Sequence, residues 1–230
     1  MKLLSPHFFK RYHTYLCVIS FICFIISAIV SYYLIYISPP DYQQQYVVRI
    51  MYIHVPLAWL SLSIYSFVAI CSIVNIVWRI PMCYIMILSI VPIGTVFSFL
   101  TLVTGGIWGK PIWGTYWVWD ARLTSMLILF LFYLSQTIMI TSGENMRRIE
   151  KPICIISIIG FINIPIIKFS VDIWSTLHQP SSFIRSGGIS IHASMLKPLL
   201  MTFITLIFYT IVIFVMNIYS NLYTYYYQKP

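Results

Sequence analysis

Apolar runs, each about as long as a bilayer's hydrocarbon core, alternate along this chain with short breaks carrying charge, proline or glycine. A membrane-crossing helix needs roughly 20 apolar residues. Six runs qualify, at about 16–37, 53–77, 83–104, 123–141, 153–173 and 196–219. The breaks read "SPPDYQQQYVVR", "WRIP", a Trp-rich stretch, "SGENMRRIEKP" and "STLHQPSSFIRSGGISIHASMLKP". The pattern predicts an all-α, polytopic membrane protein, one domain over 1–230, with a Trp-rich outer loop at 105–122. The fifth run is the least regular, because it contains Pro165 and ends near Lys168 and Asp172, whose i, i+4 spacing allows them to pair on one helix face.

Basic residues near span ends orient such a chain. With the N-terminus inside, Lys2, Lys10, Arg11, Arg79, Arg147, Arg148, Lys151 and Lys229 lie inside, and Arg49, Lys110, Arg122, Lys168, Arg185 and Lys197 outside. Eight against six favours both termini on the inner side, with the "MRR" loop inside as well. Alternation carries the further consequence that the connections after spans one, three and five share one face. Those connections hold Arg49 with nearby His54, the Trp-rich stretch, and His178. Their convergence depends on the number of spans and not on absolute orientation.

Composition agrees with a lipid solvent. Hydrophobic residues make up 60% and charged ones 8%, against about 25% charged in soluble domains. The net charge of +9 forms no basic stripe, which argues against nucleic acid and for lipid headgroups. Cys17, Cys23, Cys71, Cys83 and Cys154 form no C-x-x-C pair, so neither a zinc site, a dithiol nor covalent haem attachment is written here. They read as small apolar filler. The basic segment before Tyr15 leads into a run too long for a signal peptide, so the first span is expected to be permanent.

The stretch "WGKPIWGTYWVWDARLTS" holds Trp108, Trp113, Trp117 and Trp119, four of the chain's seven tryptophans. An interfacial aromatic belt accounts for scattered rings such as Trp59 or Trp78. It does not account for four indoles interleaved with Gly105, Gly106, Gly109, Pro111 and Gly114, since glycine permits tight turns and close backbone approach. The combination suggests a platform for a large flat ligand.

Among the five histidines, His7 and His13 lie in the basic N-terminal segment and read as solvated or headgroup-facing. His54, in "MYIHVPLAW", opens the second span, and His178, in "STLHQP", precedes Pro180 in the third outer segment. An isolated pair of histidines is most often structural. Two that flank an indole platform on one face suit the axial positions of haem iron. His192, in "SIHASM", is a spare candidate. Asp120 stands where it would N-cap the fourth span, a role compatible with a part in the site. Arg49 and Arg122 have the geometry for haem propionates, with lipid phosphate the competing reading for Arg49. Lys110 and Arg185 read as surface charges.

Taken with "YIHVP" and "LHQP", the Trp-rich stretch resembles the WWD signature of the CcmC family of cytochrome c maturation proteins, over most of the chain. The larger haem lyase relatives, CcmF, share the signature but need many more spans. The "SGGISIHASML" segment is similar to mitochondrion-encoded members. The resemblance implies that His54 and His178 are the axial ligands of a non-covalently held haem b. It further implies a platform of Trp108, Trp113, Trp117, Trp119 and Asp120, with Arg49 and Arg122 concerned in handover. Tyr116 departs from the family pattern, where many members carry tryptophan.

What the resemblance implies about activity is haem delivery rather than catalysis. Haem held at the outer face would pass to the haem chaperone CcmE, alongside a small CcmD-like subunit and ABC-type subunits of the maturation system. The implied location is an inner membrane, mitochondrial in preference to bacterial. Two rivals are a b-type cytochrome carrying electrons through bis-histidine haem and a small-solute permease merely anchored by its tryptophans.

Overall fold

The computed structural model describes residues 6–143, 145–174, 178 and 191–227. Pro180 and Arg185 lie outside the described residues, as do Lys2 and Lys229 and the side chains of His7 and Lys10. Among the described residues there are seven α-helices: α1 (Pro6–Ile37), α2 (Met51–Trp78), α3 (Pro81–Trp113), α4 (Ala121–Thr141), α5 (Met146–Phe161), α6 (Asn163–Ile173) and α7 (Ala193–Tyr227). A short 3-10 helix, Tyr46–Ile50, leads into α2. Six helical segments are long and apolar enough to cross a membrane, α5 and α6 together forming one of them.

α2 and α3 form the central hairpin, with Arg79 in the left-handed conformation and Pro81 opening α3. α3 also packs on α4 and α7, α2 on α5 and α7, and α4 on α5 and α6. α1 packs chiefly along α7, through a seam of buried serines that includes a 2.8 Å bond from Ser31 to Thr205. Small and hydroxylated residues allow such close helix approach in lipid, where no hydrophobic force draws helices together.

Interhelical hydrogen bonds tie the core. Tyr133 donates to the Ser61 carbonyl at 2.7 Å, Tyr65 to Ile156 at 3.2 Å, and Asn163 to Ser125 at 2.7 Å. Asn217 and Asn221 of α7 reach Ser89 of α3 at 2.9 and 3.0 Å.

Three expectations need correction. Residues 105–113 are not loop, because α3 runs on to Trp113 and ends with Gly114 at φ 76°, its N–H bonded to the Lys110 carbonyl. Hydropathy locates where a helix leaves the hydrocarbon, not where it stops. At 33 residues, α3 is about 50 Å long and outlasts a core of about 30 Å. The fifth span is present as Met146–Ile173 but is interrupted at Ile162, where Pro165 cannot donate to the Phe161 carbonyl. Lys168 and Asp172 form no ion pair, the one among the described residues being His178 with Asp120. His13, finally, stacks on Tyr219 of α7 at 4.0 Å, so it takes part in helix packing.

Candidate functional site

The protruding end of α3 is the floor of the site. Its three glycines each admit a different neighbour. A Cβ on Gly105 would stand 3.0 Å from the His54 ring, one on Gly106 3.1 Å from the Tyr116 carbonyl, and one on Gly109 2.7 Å from the Trp113 indole. Gly105 thus seats an imidazole from α2, and Gly106 lets the 114–120 segment fold back. Gly109 allows Trp113 to lie down along its own helix, as side chains pointing toward the N-terminus do.

His54 sits in the first turns of α2, where its Nδ1 is 3.0 Å from the Thr104 hydroxyl. That hydroxyl gives its proton to the Leu100 carbonyl at 2.7 Å, so toward His54 it accepts. A His54 ring that donates from Nδ1 to this oxygen keeps the Nε2 lone pair free. Trp108 meets the same ring edge-on at 5.6 Å, and its Nε1 donates to Gln44 Oε1 at 2.9 Å. Gln44 belongs to a turn in which Asp41 Oδ1 accepts from the Gln43 and Gln44 N–H groups. The connection between α1 and α2 is thereby tied to the end of α3.

Asp120 does two things with its two oxygens. Oδ1 accepts the Leu123 N–H at 2.8 Å, capping α4 as expected from its position. Oδ2 takes His178 Nδ1 at 2.9 Å, the single ion-pair contact among the described residues. An ionised carboxylate only accepts, so His178 also carries its proton on Nδ1 and leaves Nε2 free. Burial pulls the His178 pKa below the ordinary imidazole value and Arg122 adds to the fall, while Asp120 opposes both. The neutral ring favoured near pH 7 is the form that binds metals. Trp113 meets this ring edge-on at 4.9 Å.

The structure sets His54 against Trp108 and His178 against Trp113, two indoles carried on the end of α3. Trp117 and Trp119 pack edge-to-face at 5.3 Å, and Trp119 stays 75% exposed. Two buried donors have no partner among the described residues here, Trp117 Nε1 and Arg122 Nε.

Arg49 Nη2 donates to the Tyr36 and Ser38 carbonyls at 2.7 and 3.2 Å, closing the C-terminal end of α1, and its buried Nε has no partner among the described residues. Lys110 donates to the Gly114 carbonyl at 2.8 Å and lies over the Tyr116 ring, so it finishes α3 rather than standing free. His192 precedes α7 and bonds Ser194 at 2.8 Å, with no described link to the other histidines. Thr104 and Gln44 touch His54 and Trp108 but carried no local signal. Their parts depend on which residues face one another across helices.

The sequence profile described as Heme exporter protein C matches residues 1–229. A protein of that name from Bradyrhizobium diazoefficiens is 49% identical, over 76% of this chain and 67% of its own length. A cytochrome c biosynthesis ccmC-like mitochondrial protein of Marchantia polymorpha is 44% identical over 100% of this chain and 98% of its own. Its Arabidopsis thaliana counterpart is 40% identical over 94% and 82%.

Proposed function

The chain belongs to the heme exporter protein C family, and from that membership in cytochrome c biogenesis we propose that it clasps haem between His54 and His178 and presents it to the chaperone CcmE. The observation that carries the reading is the pair of Nδ1 contacts, His54 to Thr104 and His178 to Asp120. Donation from Nδ1 leaves the Nε2 lone pair of each ring for iron, the arrangement of metal-bound histidines held from behind by a second group. The orphaned donors Trp117 Nε1 and Arg122 Nε suit the propionate carboxylates. The exposed rings of Tyr116 and Trp119, at 62% and 75%, leave the porphyrin edge open to a partner.

In this mechanism the chain supplies position and no bond-making chemistry. Trp108 and Trp113 hold the two imidazoles edge-on, and the end of α3 sets their spacing from below. The site lies on the outer face of an inner membrane, mitochondrial in keeping with the full-length similarity to a mitochondrial relative, with both termini inside. A CcmD-like subunit and ABC-type subunits complete the assembly.

Protein purified from haem-supplied cells is expected to show the absorption of low-spin, bis-imidazole haem. A preparation that stays pigment-free after haem addition would refute the proposal. Trp113→Ala should stay monodisperse yet lose most of its haem, and full occupancy in that variant would remove Trp113 from the platform.

Gly105→Val tests the seat independently. Branched carbon placed 3.0 Å from the His54 ring must displace it. Haem affinity is expected to fall by about 10–100-fold, the range for disturbing the support of a metal-bound imidazole, while the thermal midpoint of the bundle stays near that of the parent. Unchanged affinity, read by haem titration, would mean that Gly105 does not seat the ligand.

A further inference from the structure

We propose that the two imidazoles are prepared as unequal ligands, His178 being the one retained on iron and His54 the one released first; this rests on their reading as the haem ligands. The tautomers match, but the groups that hold them do not. His178 Nδ1 donates at 2.9 Å to Asp120, a carboxylate whose side chain is only 6% exposed. The other oxygen of that carboxylate is held by the N-terminus of α4, so the anion cannot turn away from the ring. His54 Nδ1 donates at 3.0 Å to Thr104, a neutral hydroxyl already committed to the Leu100 carbonyl.

A carboxylate behind a metal-bound imidazole raises its basicity, and a charge-assisted hydrogen bond is roughly twice as strong as a neutral one. A hydroxyl acceptor does neither to the same extent. The Nε2 lone pair of His178 is therefore the stronger donor. The order of release follows from bond strength: His54, carried on the first turns of α2, holds the weaker bond. Opening on that side exposes the porphyrin face toward the first outer connection, where Gln44 and Trp108 stand.

Carbon monoxide is the probe. It takes one axial position of ferrous haem, displaces the weaker histidine, and its C–O stretch reports the ligand that remains. With haem in excess, the adduct of the parent is expected to match that of His54→Ala and to differ from that of His178→Ala. A match with His178→Ala overturns the ranking.

A second comparison uses the supporting residues. Asparagine at position 120 keeps an N-cap oxygen for Leu123 but then turns its amide N–H toward His178, favouring the Nε2–H tautomer that cannot bind iron. Asp120→Asn is expected to lose at least about tenfold in haem affinity and to turn high-spin. Thr104→Val should remain low-spin and stay within about threefold of the parent, short of that range. Equal or reversed losses overturn the ranking while leaving bis-histidine ligation in place. A parent with no low-spin haem removes both ideas together.

Discussion

His54→Ala and His178→Ala are each expected to abolish the low-spin spectrum on their own. Disturbing the support of a metal-bound imidazole costs about 10–100-fold in affinity, so deleting the ring should exceed that range. No described side chain stands ready to replace either one. His13 is stacked against Tyr219, and His192 is bonded to Ser194 at the start of α7. The thiol of Cys71 lies seventeen residues along α2 from His54, about 25 Å away at helical rise. Absorption and haem titration of the two variants beside the parent make the measurement. A variant that kept six-coordinate, low-spin haem would strike its histidine from the site.

The same separation of roles shows what the sequence could and could not disclose. Six spans were legible because the bilayer imposes a length on any crossing helix, and their alternation brought His54, the tryptophans and His178 to one end. Asp120 was legible as a cap because capping is local: the acceptor and its N–H lie three residues apart. Its second oxygen, turned to His178 across 58 positions of sequence, was not. Thr104 and Gln44 were invisible for the same reason. Each is an ordinary polar residue until another helix brings an imidazole or an indole against it.

Glycine was half legible. The cluster in the Trp-rich stretch signalled close approach but was read as loop, since glycine pairs usually end helices. In place, Gly105, Gly106 and Gly109 stay helical and are bare so that other groups can touch the α3 backbone. Arg49 was legible only as a charge; that its Nη2 also closes α1, whose last carbonyls need a donor, depends on contacts across the first connection.

Glycine in the bundle interior carries the largest expected effect on folding. Tyr133 is fully buried, sits edge-on to Tyr65 at 4.8 Å, and donates to the Ser61 carbonyl, joining α4 to α2. Its ring lies directly against Gly94 of α3, where a Cβ would overlap it. Gly94→Val must therefore push the ring out of a packed interior. Overpacking alone destabilises by about 1–3 kcal/mol, at times more. Breaking the tyrosine hydrogen bond adds about 0.6 kcal/mol on the scale found within membranes. The variant is expected to aggregate on extraction, or to melt well below the parent when followed by size exclusion after heating. Removing the obstructing ring supplies the control: Gly94→Ala with Tyr133→Leu should be more stable than Gly94→Ala alone. If the double variant is the less stable of the two, the contact between Gly94 and Tyr133 is not what limits the space between α3 and α4.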